Sequence, residues 1–254
     1  MKRYLYCYQT LVSFSQPVTA HAVLLRCQPM AGGFQNVEEE HLVVPPGFRL
    51  QRSADAFGNR IVYGGQRSPH TTWAYVSTGI VAAGEYAVRG TADESKIFVP
   101  QSQFSTISSE FSLPLQTTGN VAEDALSVCH WVHQQLTYAP QTTTTETTAD
   151  EALRLGRGVC QDFAHVMIGL CRSLGMAARY ACGFLEGTGA THAWVEVFDG
   201  YVWQGYDPTH DRRIGYGYIK IAHGRDAADC PVSRGCYVGQ ALQQTQINVT
   251  LKEL

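Results

Sequence analysis

Between about residues 100 and 120 the hydrophobic period of this chain changes from two to 3.6, and that change restricts the folds open to it. Upstream, from Arg3 to about Val99, β-branched and aromatic residues alternate with polar ones between turn clusters, as in TAHAVLLRCQP, HLVVPPGFRLQRSADAFGNRIVYGG and TTWAYVSTGIVA. A period of two puts alternate side chains on opposite faces of a strand, so this half reads as antiparallel β. Gly58 and Asn59 lie between two such runs and tolerate the positive φ that a hairpin requires. The expectation is an N-terminal antiparallel β-sandwich with no chemistry of its own.

The stretch from Pro100 to Asn120 is rich in Gln, Ser and Thr, contains Pro114 and Gly119, and has little periodicity, which suits a connection. A chain of 254 residues has room for two modest domains. The boundary is placed at 115, giving an accessory domain over 1–115 and a second domain over 116–254.

The second half opens with a helix. Asn120 can cap it, Glu123 follows three residues on, and Val121, Ala125, Val128, Cys129, Val132 and Leu136 share one face. A shorter helix is predicted from Thr148, with Glu151 completing a capping box and Gly156 ending it. The loop GRGV then leads to Cys160, which starts a third helix with Phe163, Ala164, Met167, Ile168, Cys171 and Leu174 on its apolar stripe and Gly175 as its stop. Three strands follow: ARYACGFLE, THAWVEVFDG and YVWQGYDPTH. His192 begins the middle strand and Asp207 ends the last.

This order of elements brings chemistry into view. A cysteine attacks as its thiolate, which a helix N-terminus and a neighbouring imidazolium both favour. Gly156 and Gly158 allow a sharp approach to Cys160 and leave a backbone N–H to face an attacked carbonyl. His192 would act as general base and acid, and Asp207 would accept its other N–H and fix the tautomer. Each residue alone has an ordinary explanation: cysteines are commonly small buried hydrophobes, histidines at strand ends commonly hydrogen-bonded fixtures, and Asp-Pro a turn starter. That ordinary reading is accepted for Cys129, Cys171 and Cys182. It weakens for Cys160, which stands at the glycine-rich polar edge of its helix with partners downstream.

Taken together, GRGVCQDFAHVMIGLCRSLGMAARYACGFL, THAWVEVF and GYDPTH resemble the transglutaminase-like superfamily, whose bacterial branch is often labelled cysteine protease. GRDAADCPVSRGCYVG resembles the downstream part of those bacterial proteins, and the N-terminal half looks like their accessory β-domain, so the likeness covers nearly the whole chain. The resemblance implies Cys160 as nucleophile, His192 as base and Asp207 as orienting acid. It implies an α+β fold, a papain-like core over 116–254 in which the cysteine helix packs on a small antiparallel sheet. Nothing in the 47 residues after Asp207 has room for the extra β-barrels and calcium sites of the animal enzymes. Tyr138, in LTYAPQ, is a candidate donor to the oxyanion, beside the plainer reading of loop packing.

Other classes of function find little support. A net charge of −3 provides no basic field for nucleic acid or anionic lipid. The N-terminus lacks the apolar stretch of a signal peptide, and no run approaches the ~18–20 apolar residues of a membrane span. Eight scattered cysteines without that signal point to free thiols and a cytoplasmic setting. Cys129, His130 and His133, and the pair Cys230 and Cys236, lack the spacing of a zinc site, so no metal is expected. No GxxxxGK[ST] or strand-linked GxGxxG occurs, so no cofactor is expected either. Asp162 and His165 flank the cysteine on its own helix, and five residues along a helix turns His165 away from Cys160, so its role is taken as structural. The expected activity is hydrolysis of a peptide or isopeptide amide through a thioester, on a peptide or protein substrate. The alternatives are transfer to an amine acceptor and a non-catalytic binding module.

Overall fold

The computed structural model describes residues 1–111 and 117–254. The first part of the chain forms β1 (Lys2–Leu25), β2 (Gln35–Val43), β3 (Arg49–Ala54), β4 (Arg60–Gln66), β5 (His70–Ala83), β6 (Val88–Arg89) and a one-turn helix, α1 (Ala92–Ser95). Then come α2 (Val121–Gln135), β7 (Thr137–Tyr138), α3 (Ala149–Leu155), β8 (Arg157–Gly158) and α4 (Cys160–Ser173). The remainder is β: β9 (Ala178–Leu185), β10 (Gly187–Gly189), β11 (His192–Phe198), β12 (Val202–Asp207), β13 (Arg212–Arg213), β14 (Tyr218–Gly224), β15 (Ser233–Val238) and β16 (Gln243–Glu253). Strand outweighs helix, 47% to 17%, so the molecule is mostly β.

The predicted helices form where their caps place them. Asn120 accepts the N–H groups of Ala122 and Glu123 to start α2, and Thr148 and Glu151 exchange hydrogen bonds to start α3, which ends on Gly156 at φ 61°. Pairing among the first strands is antiparallel, as the alternation implies. In β1, Tyr4, Tyr6, Tyr8, Thr10, Val12 and Phe14 point inward, while Leu5, Gln9 and Leu11 point out.

Strand β1 organises the larger, eight-stranded sheet. Its first half pairs with β5 on one edge and β16 on the other; after an irregularity between Ser13 and Val18 its second half pairs with β4 and β15. Ala20, at φ 47°, lies in a second irregularity, between Thr19 and Ala22, in the pairing with β15. Sheet membership therefore runs across the expected boundary, because β10, β15 and β16 from the C-terminal half complete a sheet begun at Lys2. The position assigned to the boundary, residue 115, and Pro114 lie outside the described residues.

The second sheet, ordered β13-β12-β11-β9-β14 with β6 on β12, carries α4 against β11 and β9. Residues of β9, β11 and β14 are buried on both faces. On one face of β9, Tyr180 lies 5.4 Å from His165 of α4, and four residues on Phe184 stacks on Tyr6 of β1 at 5.4 Å between ring centroids and lies 5.5 Å from Tyr8. Such strands cannot alternate apolar with polar, and their charged residues must find partners. Glu196, fully buried, accepts hydrogen bonds from Arg179 Nε at 2.5 Å, Lys220 Nζ at 2.7 and 2.8 Å and the Tyr86 hydroxyl at 2.7 Å. Among the described residues no helix is long and apolar enough to cross a membrane.

Candidate active site

Helix α4 starts at Cys160 without a side-chain cap, because its N-cap residue is Val159. The Asp162 N–H donates to the Val159 carbonyl at 2.8 Å, and the N–H groups of Cys160 and Gln161 keep their donor capacity next to the sulfur. The turn is held from below by Asp162, whose Oδ2 accepts the Val159 N–H and the Thr143 hydroxyl, both at 2.7 Å. Gln161 donates to the Thr145 carbonyl at 3.2 Å, so the threonine run 142–148 is tied to the cysteine turn. A Cβ on Gly158 would lie 2.6 Å from Asp162 Oδ2, which explains a glycine two residues before the cysteine. Asp162 is buried, and burial pushes its carboxyl upward.

The hairpin β11–β12 places His192 and Asp207 at its open end. His192 Nε2 donates to Asp207 Oδ2 at 2.7 Å, and both side chains are buried. That bond assigns the proton to Nε2 and leaves Nδ1 as the ring atom free for the cysteine. Burial pushes the imidazole pKa down, but hydrogen bonds to Asp207 and Cys160, and the charges of both, outweigh it and raise it to about 10. Burial works against the Asp207 carboxylate too, yet its hydrogen bonds, led by those from His192 and His210, hold it well below the usual carboxylate range.

Cys160, His192 and Asp207, the three residues singled out in the sequence, are thus brought together from the start of α4 and the open end of the β11–β12 hairpin. Tyr138 is brought near as well. Its short strand β7 runs parallel to β8, pairing Tyr138 with Gly158, and burial followed by the Cys160 charge raises its phenol pKa. Tyr138 is 55% exposed, so it borders the site rather than the core.

Two partners of Asp207 escape a reading of the sequence. Oδ2 also accepts His210 Nδ1 at 2.7 Å and the Tyr218 hydroxyl at 2.6 Å, while Oδ1 accepts the N–H groups of Thr209 and His210 at 3.0 and 3.2 Å. His210 stands three residues after Asp207, within the DPTH turn, and that spacing is the available signal. Tyr218 lies eleven residues on in β14, and no local pattern announces it. Arg212 in turn donates to the Tyr218 oxygen from Nε at 3.0 Å and Nη2 at 2.7 Å.

His165 is fully buried, accepts the Ala227 N–H at Nε2 and stacks on Phe104; burial drives its pKa down to about 4, so it is a neutral core residue. Cys129, Cys171 and Cys182 are buried among apolar side chains. His130 and His133 of α2 hold the turn after Asp207, His130 Nδ1 on Asp211 Oδ1 and His133 Nδ1 near the Pro208 carbonyl at 3.2 Å. Among the described residues the one grouping of three potential metal ligands is His192, Asp207 and His210, with ligand atoms within 4.8 Å of one another. An ion there would have to break the hydrogen bonds that Asp207 Oδ2 already accepts.

A cysteine at a helix start, an imidazole beside it and a buried carboxylate behind that imidazole define a thiol–imidazole–carboxylate site on a sheet-and-helix scaffold. Residues 110–208 match the transglutaminase-like superfamily, and residues 4–82 match the bacterial transglutaminase-like N-terminal region. The chain belongs to the transglutaminase-like superfamily, in the bacterial form that carries this N-terminal region. An uncharacterized protein of Mycobacterium tuberculosis is 30% identical over 221 residues, which cover 72% of this chain and 70% of the relative. An uncharacterized protein of Mycobacterium leprae is 27% identical over 270 residues, 95% of each chain. The crystal structure of a candidate cysteine protease from Cytophaga hutchinsonii superposes with a TM-score of 0.82 at 22% identity, covering 100% of this chain and 91% of that one. At that identity the likeness speaks to the fold.

Proposed function

We propose that this protein is a cysteine-dependent acyl-transfer enzyme that hydrolyses peptide or isopeptide amides, with Cys160 as nucleophile, His192 as its acid–base partner and Asp207 as the orienting carboxylate. The observation that carries this reading is the buried 2.7 Å bond from His192 Nε2 to Asp207, on an imidazole that also interacts with Cys160. With its pKa raised to about 10, His192 is an imidazolium at neutral pH, the form that stabilises a thiolate and can give a proton away.

In the acylation step the Cys160 sulfur attacks the amide carbon. The N–H groups of Cys160 and Gln161 at the uncapped start of α4 receive the oxyanion in this reading, and the Tyr138 hydroxyl is a second candidate donor. His192 passes its proton to the departing nitrogen, the C–N bond breaks, and a thioester remains. The now neutral imidazole takes a proton from water as water attacks, the C–S bond breaks, and the acid leaves. An amine in place of water gives transfer from the same intermediate. Hydrolysis is favoured because Cys160 is only partly buried and solvent water reaches it unless something excludes it. The chemistry needs no cofactor, and the substrate is read as a peptide or protein. In fold terms, α4 on the β9–β11–β12 sheet is a papain-like α+β arrangement over 116–254, with the strands of 1–115 as an accessory β-sandwich region of a cytoplasmic protein.

The test is alkylation of Cys160 by iodoacetamide from pH 4 to 9, located by mass spectrometry, in the wild type and in His192→Ala. Labelling of Cys160 at acid pH that outpaces the other cysteines and is lost in His192→Ala supports the reading. A Cys160 that labels no faster than the rest in both proteins favours a binding module instead, as would a Cys160→Ala protein indistinguishable from wild type in every assay.

A further inference from the structure

The two faces of the larger sheet have different surroundings. The inner face carries the tyrosines of β1 and is met by Phe184 of the second sheet. The outer face is left to solvent, with Leu5 44%, Leu11 39% and Val43 64% exposed. Pairing of β2, β5, β1 and β16 lays that outer face out in rows. One row reads Glu39, Ile80, Leu5, Lys252; further along, Val43 lies beside Val76 and Leu11 beside Ala74. From the row of His41, Thr78, Cys7 and Thr250 to that of Thr72, Ser13 and Gln244 there is no Lys, Arg, Asp or Glu, in a chain of which 16% is charged. A sheet face that meets water ordinarily turns polar residues toward it, whereas depletion of charge around an apolar centre marks a protein–protein contact.

The charges at one end of the face indicate what covers it. Arg3 and Glu38 are paired with each other at 2.8 Å, but Glu39 on β2 and Lys252 on β16 are exposed, and neither has an ion-pair partner among the described residues. They stand three strand spacings apart, about 14 Å, with Ile80 and Leu5 between them, too far to meet within one molecule. A two-fold axis lying in the face, parallel to the strands and midway between β5 and β1, exchanges the two positions. Glu39 of each copy then faces Lys252 of the other, Leu5 lies on Ile80, and Leu11 lies on the small Ala74. A row that is its own complement under a two-fold rotation selects a second copy over any other occupant. Four strands over the stretch in which β1 pairs with β16, Tyr4 to Phe14, make a face of about 700 Å², so two copies bury about 1,400 Å² together, the size of a stable interface. We propose that this protein is a dimer joined back to back through the outer faces of its two eight-stranded sheets. The second sheet lies behind the inner face of each copy, so both reaction centres stay clear of the contact.

Sedimentation velocity of the full chain across micromolar concentrations reads the mass, and a species of twice the chain mass is expected. Leu11→Asp puts an unpaired charge into the apolar centre of the contact and should raise the dimer dissociation constant by about a hundred-fold or more. Glu39→Lys and Lys252→Glu each set like charges against one another and should weaken the dimer by about ten-fold or more. The two substitutions in one chain re-create the pair with its signs exchanged and should bring the affinity back toward that of the wild type. Circular dichroism spectra and rates of Cys160 alkylation that match the wild type separate loss of the contact from loss of the fold. Should Leu11→Asp alter the spectrum, the charge exchange at the two exposed sites decides the matter alone. A monomer at every concentration, a dimer that these variants leave intact, or a charge exchange that restores nothing overturns the proposal.

Discussion

Asp207 is the residue on which the site converges, and its environment explains why a single carboxylate can remain ionised in a buried position. Five donors from four residues surround its two oxygens. Replacing it with Asn keeps the shape but offers His192 an amide that can reverse the ring's tautomer. Asp207→Asn is expected to slow alkylation of Cys160 at pH 6 by about ten-fold or more, read by mass spectrometry. The same pairing gives stability a pH dependence. His192 has its pKa raised to about 10 in the fold against about 6.5 in an unfolded chain, so the fold holds a proton that the unfolded chain gives up in between. The stabilisation is complete below about pH 6.5 and disappears as pH rises through about 10. Urea midpoints of the wild type and Asp207→Asn should therefore differ most near pH 6 and converge toward pH 10.5. Glu196 is a second buried carboxylate, and it neutralises Arg179 and Lys220 on other strands of the second sheet. Glu196→Gln leaves both cations without their anion and is expected to cost about 3–5 kcal/mol in chemical denaturation.

At the scale of elements, α4 shows how tightly the nucleophile is mounted. The helix presses on the loop that precedes α2 so closely that a Cβ at Gly169 would come 2.1 Å from the Ser105 carbonyl oxygen and 2.4 Å from Ile107. Both obstacles are in one packed segment, and one of them is backbone, so the helix itself would have to move. Gly169→Ala is expected to lose about 2 kcal/mol or more despite the better helix propensity of alanine, measured as a lower urea midpoint. The caps, stripe and stop of this helix were legible in CQDFAHVMIGLCRSLG because they depend on neighbours within a turn or two. That Gly169 is a contact point was not, because its partner is 64 residues away in sequence. The same distinction separates His210, three residues from Asp207, from Tyr218, which arrives on another strand.

At the scale of the whole molecule, the chain ends where it starts. Strand β16 pairs with β1 from Tyr4–Glu253 to Phe14–Gln243 and buries Val249 and Leu251. Removing residues 243–254 would leave a long edge of β1 unpaired and open that core. The truncated chain is expected to be insoluble, or rapidly cleaved in limited proteolysis where the full chain resists. A fragment of 116–254 is likewise expected to lack a cooperative thermal transition, because β10, β15 and β16 would lose the strand they build on and Phe184 its tyrosine partners.

What the sequence determined by itself is everything whose cause is local: the β period of the first half, the capped helices of the second, and the cysteine at a helix start, with a histidine and an aspartate at strand ends downstream. The motif resemblance rested on the same short segments. Only the tertiary structure decided what depends on distant partners. It showed that the last strand completes the first sheet, that Arg179, Glu196 and Lys220 are buried together, and that Tyr218 and Arg212 stand behind Asp207. Strands covered on both faces show no alternation, and a side-chain hydrogen bond between strands leaves no trace in sequence spacing.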